Sequence, residues 1–156
     1  MKVIALSRLY TEQVVKDISI DHAIISVTDP KSKDPVFKPS PFTKGILFLK
    51  FYDIDFSDGN NTPTRAAILK EYGDGLFKDS QAQEILDFVD KVKDDVKLII
   101  CHCEAGVSRS AGVAAAVLKI LTGSDNAIFN DRRYIPNRYV YRKILNLYFQ
   151  QERSSL

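Results

Sequence analysis

Between Ile99 and Ser110 the chain reads Ile-Ile-Cys-His-Cys-Glu-Ala-Gly-Val-Ser-Arg-Ser, and its reactive residue types concentrate there. Cys103 carries a thiol whose ionised form is a strong nucleophile. The five residues after it, Glu104 to Ser108, include Gly106, which lets the backbone curl so that successive amides converge. Arg109 follows, able to offer two parallel N–H donors to a tetrahedral oxyanion. The apolar run before Cys103 reads as a buried strand, and the small residues from Ser108 onward read as a helix. A loop leading from a strand into a helix N-terminus presents unsatisfied amides and the positive end of the helix dipole, a setting suited to phosphate. The same field favours the thiolate of Cys103, aimed at bound phosphorus. Ser110 can donate a hydrogen bond to that sulfur and make it a better leaving group.

His102-Cys103, five residues and then Arg109-Ser110 resembles the H-C-x5-R-S/T signature of the cysteine-dependent protein tyrosine phosphatases. The inner run Ala105-Gly106-Val107-Ser108-Arg109-Ser110 is most similar to their small dual-specificity branch. A chance match of this kind, at near-average residue usage, has odds on the order of 10⁻⁵. The resemblance extends with less force over roughly residues 45–150. It implies a phosphomonoester hydrolase, a protein tyrosine or dual-specificity phosphatase with a phosphocysteine intermediate and no metal or other cofactor. Its substrate would be a phosphorylated protein or a small phosphomonoester. On the family pattern Cys103 is the nucleophile, and Glu104, Ala105, Gly106, Val107, Ser108 and Arg109 hold the phosphate. Ser110 supports the sulfur, and His102 orients the loop by hydrogen bonding.

A departing ester oxygen needs a proton, which a positioned carboxyl can supply. The family takes it from an aspartate on a loop after a strand that precedes the signature. Asp53, Asp55 and Asp58 are the candidates, and Leu49-Lys50-Phe51-Tyr52-Asp53 fits the register best. Each could instead be a turn residue that bonds its own backbone. Asp53 precedes Cys103 by 50 residues, more than small dual-specificity enzymes usually show, and the excess falls in Ser57–Asp79.

Other readings start from the same residues. A phosphate-binding adaptor would keep Cys103, Arg109 and Ser110 and lack the acid. A thiol redox protein would use Cys101 with Cys103, although two cysteines so close on a strand make a badly strained bridge. Cys101 reads as a buried hydrophobe. Cys101-His102-Cys103 cannot converge tetrahedrally on a metal ion. Lipid-phosphate members of the family tend to carry lysines in the loop, where this chain has Glu104. Low-molecular-weight phosphatases carry their loop near the N-terminus. The triplet Asn137-Arg138-Tyr139 looks like part of a phosphotyrosine-recognition motif but follows the signature rather than preceding it, so it receives no role. His22 has no evident partner and reads as a surface or strand-end residue.

The elements that must position these groups alternate. Lys2–Leu6, Ala23–Val27, Gly45–Phe51 and Lys97–Cys101 read as strands. Thr11–Ile18 and Pro63–Tyr72 read as helices. A further helix starts at Ser80, which forms a capping box with Gln83, and buries Ala82, Ile85, Leu86, Val89 and Val92 on one face. Ser108–Leu121 reads as a helix closed by Gly123, Ser124 caps a short helix to Asn130, and Pro136 opens the last one. Asp29–Lys44 holds four of the six prolines and reads as surface or flexible structure, and Ser57–Asn61 is turn-rich. The expectation is one α/β domain over residues 1–156, with a central, mainly parallel sheet of four to five strands flanked by helices.

With 45% hydrophobic and 27% charged residues in 156, the chain is neither disordered nor low-complexity. Its longest apolar run, Ala111 to Leu118, falls far short of the roughly 20 residues of a membrane span. The first residues lack a secretory h-region. Together with two adjacent unpaired cysteines, this suggests a cytoplasmic protein with no membrane partner. Neither finger spacing nor aromatic–basic interleaving points to nucleic acid. Net charge is +2, yet residues 132–156 carry six basic groups against Glu152 alone. Such a tail either attracts anionic substrates or forms the solvated face of a terminal helix. Nothing in the sequence sets the oligomeric state.

Overall fold

Runs of β-branched and other apolar residues extend, and among the described residues four of them pair: β1 Lys2–Ser7, β2 His22–Thr28, β3 Thr43–Lys50 and β4 Leu98–Cys103. All pairings are parallel, in the order β1-β4-β2-β3. The structure is a computed structural model that describes residues 1–38, 40–56 and 62–155. The helices are α1 Arg8–Val14, α2 Thr62–Tyr72, α3 Asp79–Val92, α4 Arg109–Thr122, α5 Asn126–Phe129 and α6 Arg138–Ser154. Single 3₁₀ turns follow α1 (Val15–Asp17) and α2 (Gly73–Gly75).

Parallel strands need crossovers, and the crossovers bury both faces of the sheet. β2 and β4, the two inner strands, are buried along their whole length. The two-residue period of a strand sorts their side chains. Val3, Ala5, Ala23, Ile25, Val27, Ile99, Cys101 and Cys103 belong to the large core under α3, α4 and α6. Ile24, Leu98 and Ile100 belong to a smaller core closed by Val15, Ile18 and Phe37. Neighbouring residues of β4 therefore face different surroundings, and Cys103 and His102 diverge by this alternation alone. No helix among the described residues is long and apolar enough to cross a membrane.

Several element boundaries differ from the sequence expectation. β4 runs two residues further, through His102 and Cys103, because its ladder with β1 continues to the pair Ser7 and Cys103. α1 starts at Arg8, since the Ser7 side chain accepts the Tyr10 N–H (3.1 Å) and turns β1 straight into a helix. The box expected of Ser80 and Gln83 does not form. Gln81 instead accepts the Lys78 N–H (3.0 Å) and donates to the Lys50 carbonyl at the end of β3 (2.9 Å), while Gln83 bonds Asp87 (2.9 Å). α5 begins after Asp125, and the Ser124 hydroxyl accepts the Asn126 N–H (3.3 Å). α6 opens at Arg138 rather than at Pro136, because the Asn137 side chain accepts the Val140 N–H (3.0 Å) and caps the helix two residues further on than expected. Gly123 ends α4 in the left-handed region at φ +85°.

His22 is not a surface residue. It is fully buried at the start of β2, where Nδ1 pairs with the Ile20 carbonyl (2.8 Å) and Nε2 with the Thr43 hydroxyl (2.7 Å). The turn-rich stretch Ser57–Asn61, including Asp58, lies outside the described residues.

α4 can lie close to the approach to α6 because Gly112 has no side chain. A Cβ there would sit 2.6 Å from the Asn137 carbonyl oxygen, which is backbone and has little room to yield. Replacing a helix-interior glycine with alanine ordinarily stabilises by about 0.5–1 kcal/mol. Gly112→Ala should reverse that sign and lower the urea midpoint, by an amount equivalent to about 1–3 kcal/mol. An unchanged or raised midpoint would show that this close approach does not constrain the fold.

Candidate active site

Six strand residues deliver Cys103 to the carboxyl edge of the sheet, where open α/β sheets bind ligands. Glu104 to Ser108 then bridge to α4, and three backbone bonds hold this loop. Arg8 N–H donates to the Glu104 carbonyl (3.1 Å), Ile135 N–H to Val107 (3.0 Å) and Asn137 N–H to Ser108 (3.0 Å). Gly106 has φ +74°, and a Cβ on it would lie 2.4 Å from the backbone of Leu6 and Ser7. Only glycine fits, on both counts. The result is a curled backbone whose Gly106 N–H points at the Cys103 sulfur (3.3 Å). The Ser110 hydroxyl lies 3.1 Å from the same sulfur.

Arg109, the first residue of α4, is buried, and its Nη1 donates to the Asp29 carboxylate (2.6 Å) and the Phe51 carbonyl (2.8 Å). Both acceptors come from just beyond strand ends, Asp29 after β2 and Phe51 after β3. Among the described residues Nε and Nη2 make no hydrogen bond, so two donors remain for an oxyanion. Asp29 was not singled out from the sequence. The signal that could have found it is an acidic residue directly after a strand rich in apolar residues, where ligand-facing groups gather.

The acid candidates separate by their partners. Asp53 is exposed and its Oδ1 accepts from the Ser108 hydroxyl (2.8 Å) and the Asn137 side-chain amide (2.9 Å). Its carboxylate therefore borders the Glu104–Ser108 loop. Asp55 accepts the Arg138 N–H on Oδ2 (2.9 Å) and the Tyr139 N–H on Oδ1 (3.1 Å), so it satisfies orphan donors at the start of α6. Asp58 lies outside the described residues. Asn137 also donates to the Ile54 carbonyl (3.1 Å), so one buried side chain ties the loop, the Asp53 segment and α6 together. The triplet left without a role in the sequence thus contains a residue that positions Asp53.

His102 is buried on the opposite face. Its Nε2 pairs with the Ser26 hydroxyl (2.6 Å), its Nδ1 faces the Cys103 carbonyl (3.2 Å), and the Phe37 ring lies edge-on at 5.8 Å. Burial pushes its pKa down, outweighing the bond to the Cys103 carbonyl that pulls it up. Cys101 sits in the large core, where burial, helped by the nearby Cys103, pushes its thiol far up. It is therefore protonated at neutral pH, and neither cysteine is in a disulfide. Among the described residues no group of three or more His, Cys, Asp or Glu side chains is placed to hold a metal ion.

The fold is that of the small dual-specificity and tyrosine phosphatases. A structure of PTPMT1 in complex with PI(5)P superposes with a TM-score of 0.58 at 16% identity, covering 99% of this chain and 95% of that one. A human tyrosine phosphatase-like serine/threonine/tyrosine-interacting protein gives 0.54 at 18% identity, covering 90% and 83%. Human DUSP28 gives 0.52 at 16% identity, covering 99% and 95%. The sequence matches no protein-family model and no curated protein.

The depressed pKa of His102 links stability to pH with a definite sign. As pH falls, the unfolded chain takes up this proton near its ordinary value of about 6.5, before the folded chain does. His102 therefore withdraws stability on acidification. Denaturant midpoints measured from about pH 7 to pH 5 should fall more steeply for the native chain than for His102→Gln. Parallel slopes would show that the buried imidazole does not resist protonation.

Proposed function

We propose that this protein is a phosphomonoester hydrolase, a protein tyrosine or dual-specificity phosphatase that works through a phosphocysteine intermediate. The observation that carries this reading is the convergence of a loop amide and the Ser110 hydroxyl on the Cys103 sulfur, with a buried Arg109 retaining two uncommitted donors. The Cys103 thiolate attacks phosphorus in line, forming the S–P bond as the ester P–O bond breaks. Arg109 and the amides of Glu104–Arg109 stabilise the equatorial oxygens. Asp53 gives its proton to the departing oxygen. Water then attacks the phosphocysteine, Asp53 accepts a proton from it, and the sulfur leaves as thiolate with the Ser110 hydroxyl donating to it. Every step uses groups of the chain itself.

Within this reading Asn137 and Asp29 are positioning residues, the first for Asp53 and the second for Arg109. The substrate is a phosphoprotein or a small phosphomonoester, and the chain acts as one domain. Two adjacent thiols outside any disulfide support a cytoplasmic setting.

Hydrolysis of p-nitrophenyl phosphate with EDTA present tests the reading. The native chain should show a bell-shaped pH profile, and Cys103→Ser should abolish turnover while keeping its circular dichroism spectrum. Residual activity above a few per cent in Cys103→Ser would remove the nucleophile assignment. Asp53→Asn should lose the basic limb and about 10²–10⁴ in rate, whereas Asp55→Asn should keep the limb and lower the urea midpoint. If the limb vanishes instead in Asp55→Asn, the acid is Asp55. No turnover in the native chain, with vanadate still bound, would indicate a phosphate-binding adaptor.

Asp29→Asn and Asn137→Ala separate positioning from stability. Asp29→Asn should lower kcat by about tenfold or more and weaken vanadate binding, because the guanidinium is no longer held in place. Asn137→Ala should lower kcat by about tenfold while leaving vanadate affinity unchanged, because the segment carrying Asp53 is no longer held beside the loop. Unchanged vanadate affinity in the first, or an unchanged kcat in the second, would leave each with a purely structural role.

A further inference from the structure

The carboxylate that pairs with Arg109 is not held by burial: the Asp29 side chain is 46% exposed, against 8% for the arginine. Packing alone therefore does not fix it, and its place depends on the backbone that presents it. One restraint is local. Asp29-Pro30-Lys31-Ser32 forms a β-turn in which the Ser32 N–H donates to the Asp29 carbonyl (3.0 Å), and Pro30 presets the backbone at its second position.

A second restraint comes from β3. Lys50 pairs with Thr28 in the ladder, and its Nζ donates to the Thr28 hydroxyl (3.1 Å) and to the Ser32 carbonyl. The same nitrogen lies 3.3 Å from the Asp34 carboxylate. An ammonium has three protons, and three acceptors stand around this one. Thr28 precedes Asp29 and Ser32 ends its turn, so the contacts of Lys50 straddle the residue that reaches Arg109. The backbone of Lys50 is fixed in turn, because its carbonyl accepts from the Gln81 side-chain amide at the start of α3 (2.9 Å). Phe51, the next residue, donates its N–H to the Thr28 carbonyl (3.1 Å) and gives its own carbonyl to Arg109 (2.8 Å). One lysine thus joins both places from which the guanidinium is held, the turn through its side chain and Phe51 through the chain itself.

We propose that Lys50 is a positioning residue for Arg109 that acts through Asp29. Its ammonium clamps the Asp29–Ser32 turn onto the end of β3, so that the carboxylate and the Phe51 carbonyl meet the guanidinium together. Among the described residues the ammonium bonds neither the Glu104–Ser108 loop nor Asp53. The proposal rests on the phosphatase reading only for its effect on turnover.

The test is a double-mutant cycle read by vanadate affinity. Lys50→Met keeps the aliphatic stem and removes the ammonium, and it should weaken vanadate binding about fivefold. Added to Asp29→Asn it should cost less than about twofold more, because the carboxylate through which it acts is already gone. Lys50→Gln serves if Lys50→Met does not fold. In p-nitrophenyl phosphate hydrolysis Lys50→Met should lower kcat and keep both limbs of the pH profile, since Cys103 and Asp53 retain their partners. A role confined to stability would lower the urea midpoint and leave vanadate affinity as it is, and that result would overturn the proposal. So would losses that simply add in the double variant. The nitrogen–proton correlation signal of the Arg109 Nε–H, assigned by its loss in Arg109→Lys, reads the clamp without ligand or turnover. Lys50→Met should move that signal toward its position in Asp29→Asn, and an unmoved signal would overturn the proposal. A signal that moves in a chain that hydrolyses nothing would remove the phosphatase reading and leave the clamp standing.

Discussion

Arg109 keeps its guanidinium inside the protein, and the geometry of the site follows from that cost. A buried charge is tolerated only when it is paired and its remaining donors are directed. Asp29 supplies the opposite charge and Phe51 a carbonyl, from beyond β2 and β3 respectively, while Arg109 itself belongs to the helix that follows β4. One side chain therefore fixes how three strand ends meet. Charge-assisted, short hydrogen bonds of this type are also directional, so the guanidinium has little freedom to leave the position from which an oxyanion would be met.

The loop between Cys103 and Arg109 depends on that arrangement and on a steric limit. Gly106 approaches the backbone at the end of β1 so closely that no side chain fits, and its positive φ turns its N–H toward the sulfur. β1 is an edge strand, yet its end is as much part of the site as the inner strands. The cost of the curl is met by backbone bonds from Arg8 and from Ile135 and Asn137, two segments far apart in the chain. Pre-organised amides of this kind need no rearrangement to receive an anion, which is the source of their strength in catalysis.

Asn137 performs a comparable service for the candidate acid, Asp53. Its side chain uses its donors on Asp53 and Ile54 and its acceptor on Val140, while its backbone N–H holds the loop at Ser108. The segment carrying Asp53 has no regular structure of its own, so its position is borrowed from the start of α6. Asp55 strengthens the same junction from the other side by capping that helix. The two carboxylates lie two residues apart and face unlike surroundings, one at the loop and one at a helix end. That difference, rather than their residue type, is what separates a candidate acid from a cap.

What could be read from the chain alone is what local interactions decide. The loop from Cys103 to Ser110 was legible because its bonds join residues three and seven apart, and the four apolar strands and most helices follow from periodicity. The left-handed stop at Gly123 is equally local. Asp29 on Arg109, Asn137 on Asp53, Ser26 on His102 and Thr43 on His22 join residues 80, 84, 76 and 21 apart. No spacing rule reaches across such separations. The α3 start shows the limit even at short range, because Gln81 prevails over the expected Ser80 and Gln83 box while its amide also donates to the end of β3. The sequence by itself determined the reactive loop and the strand–helix alternation, whose causes lie within a few residues. Only the tertiary structure decided which aspartate borders the loop, what holds the arginine and which face each histidine turns to, because those depend on strand ends that meet only when the sheet is assembled.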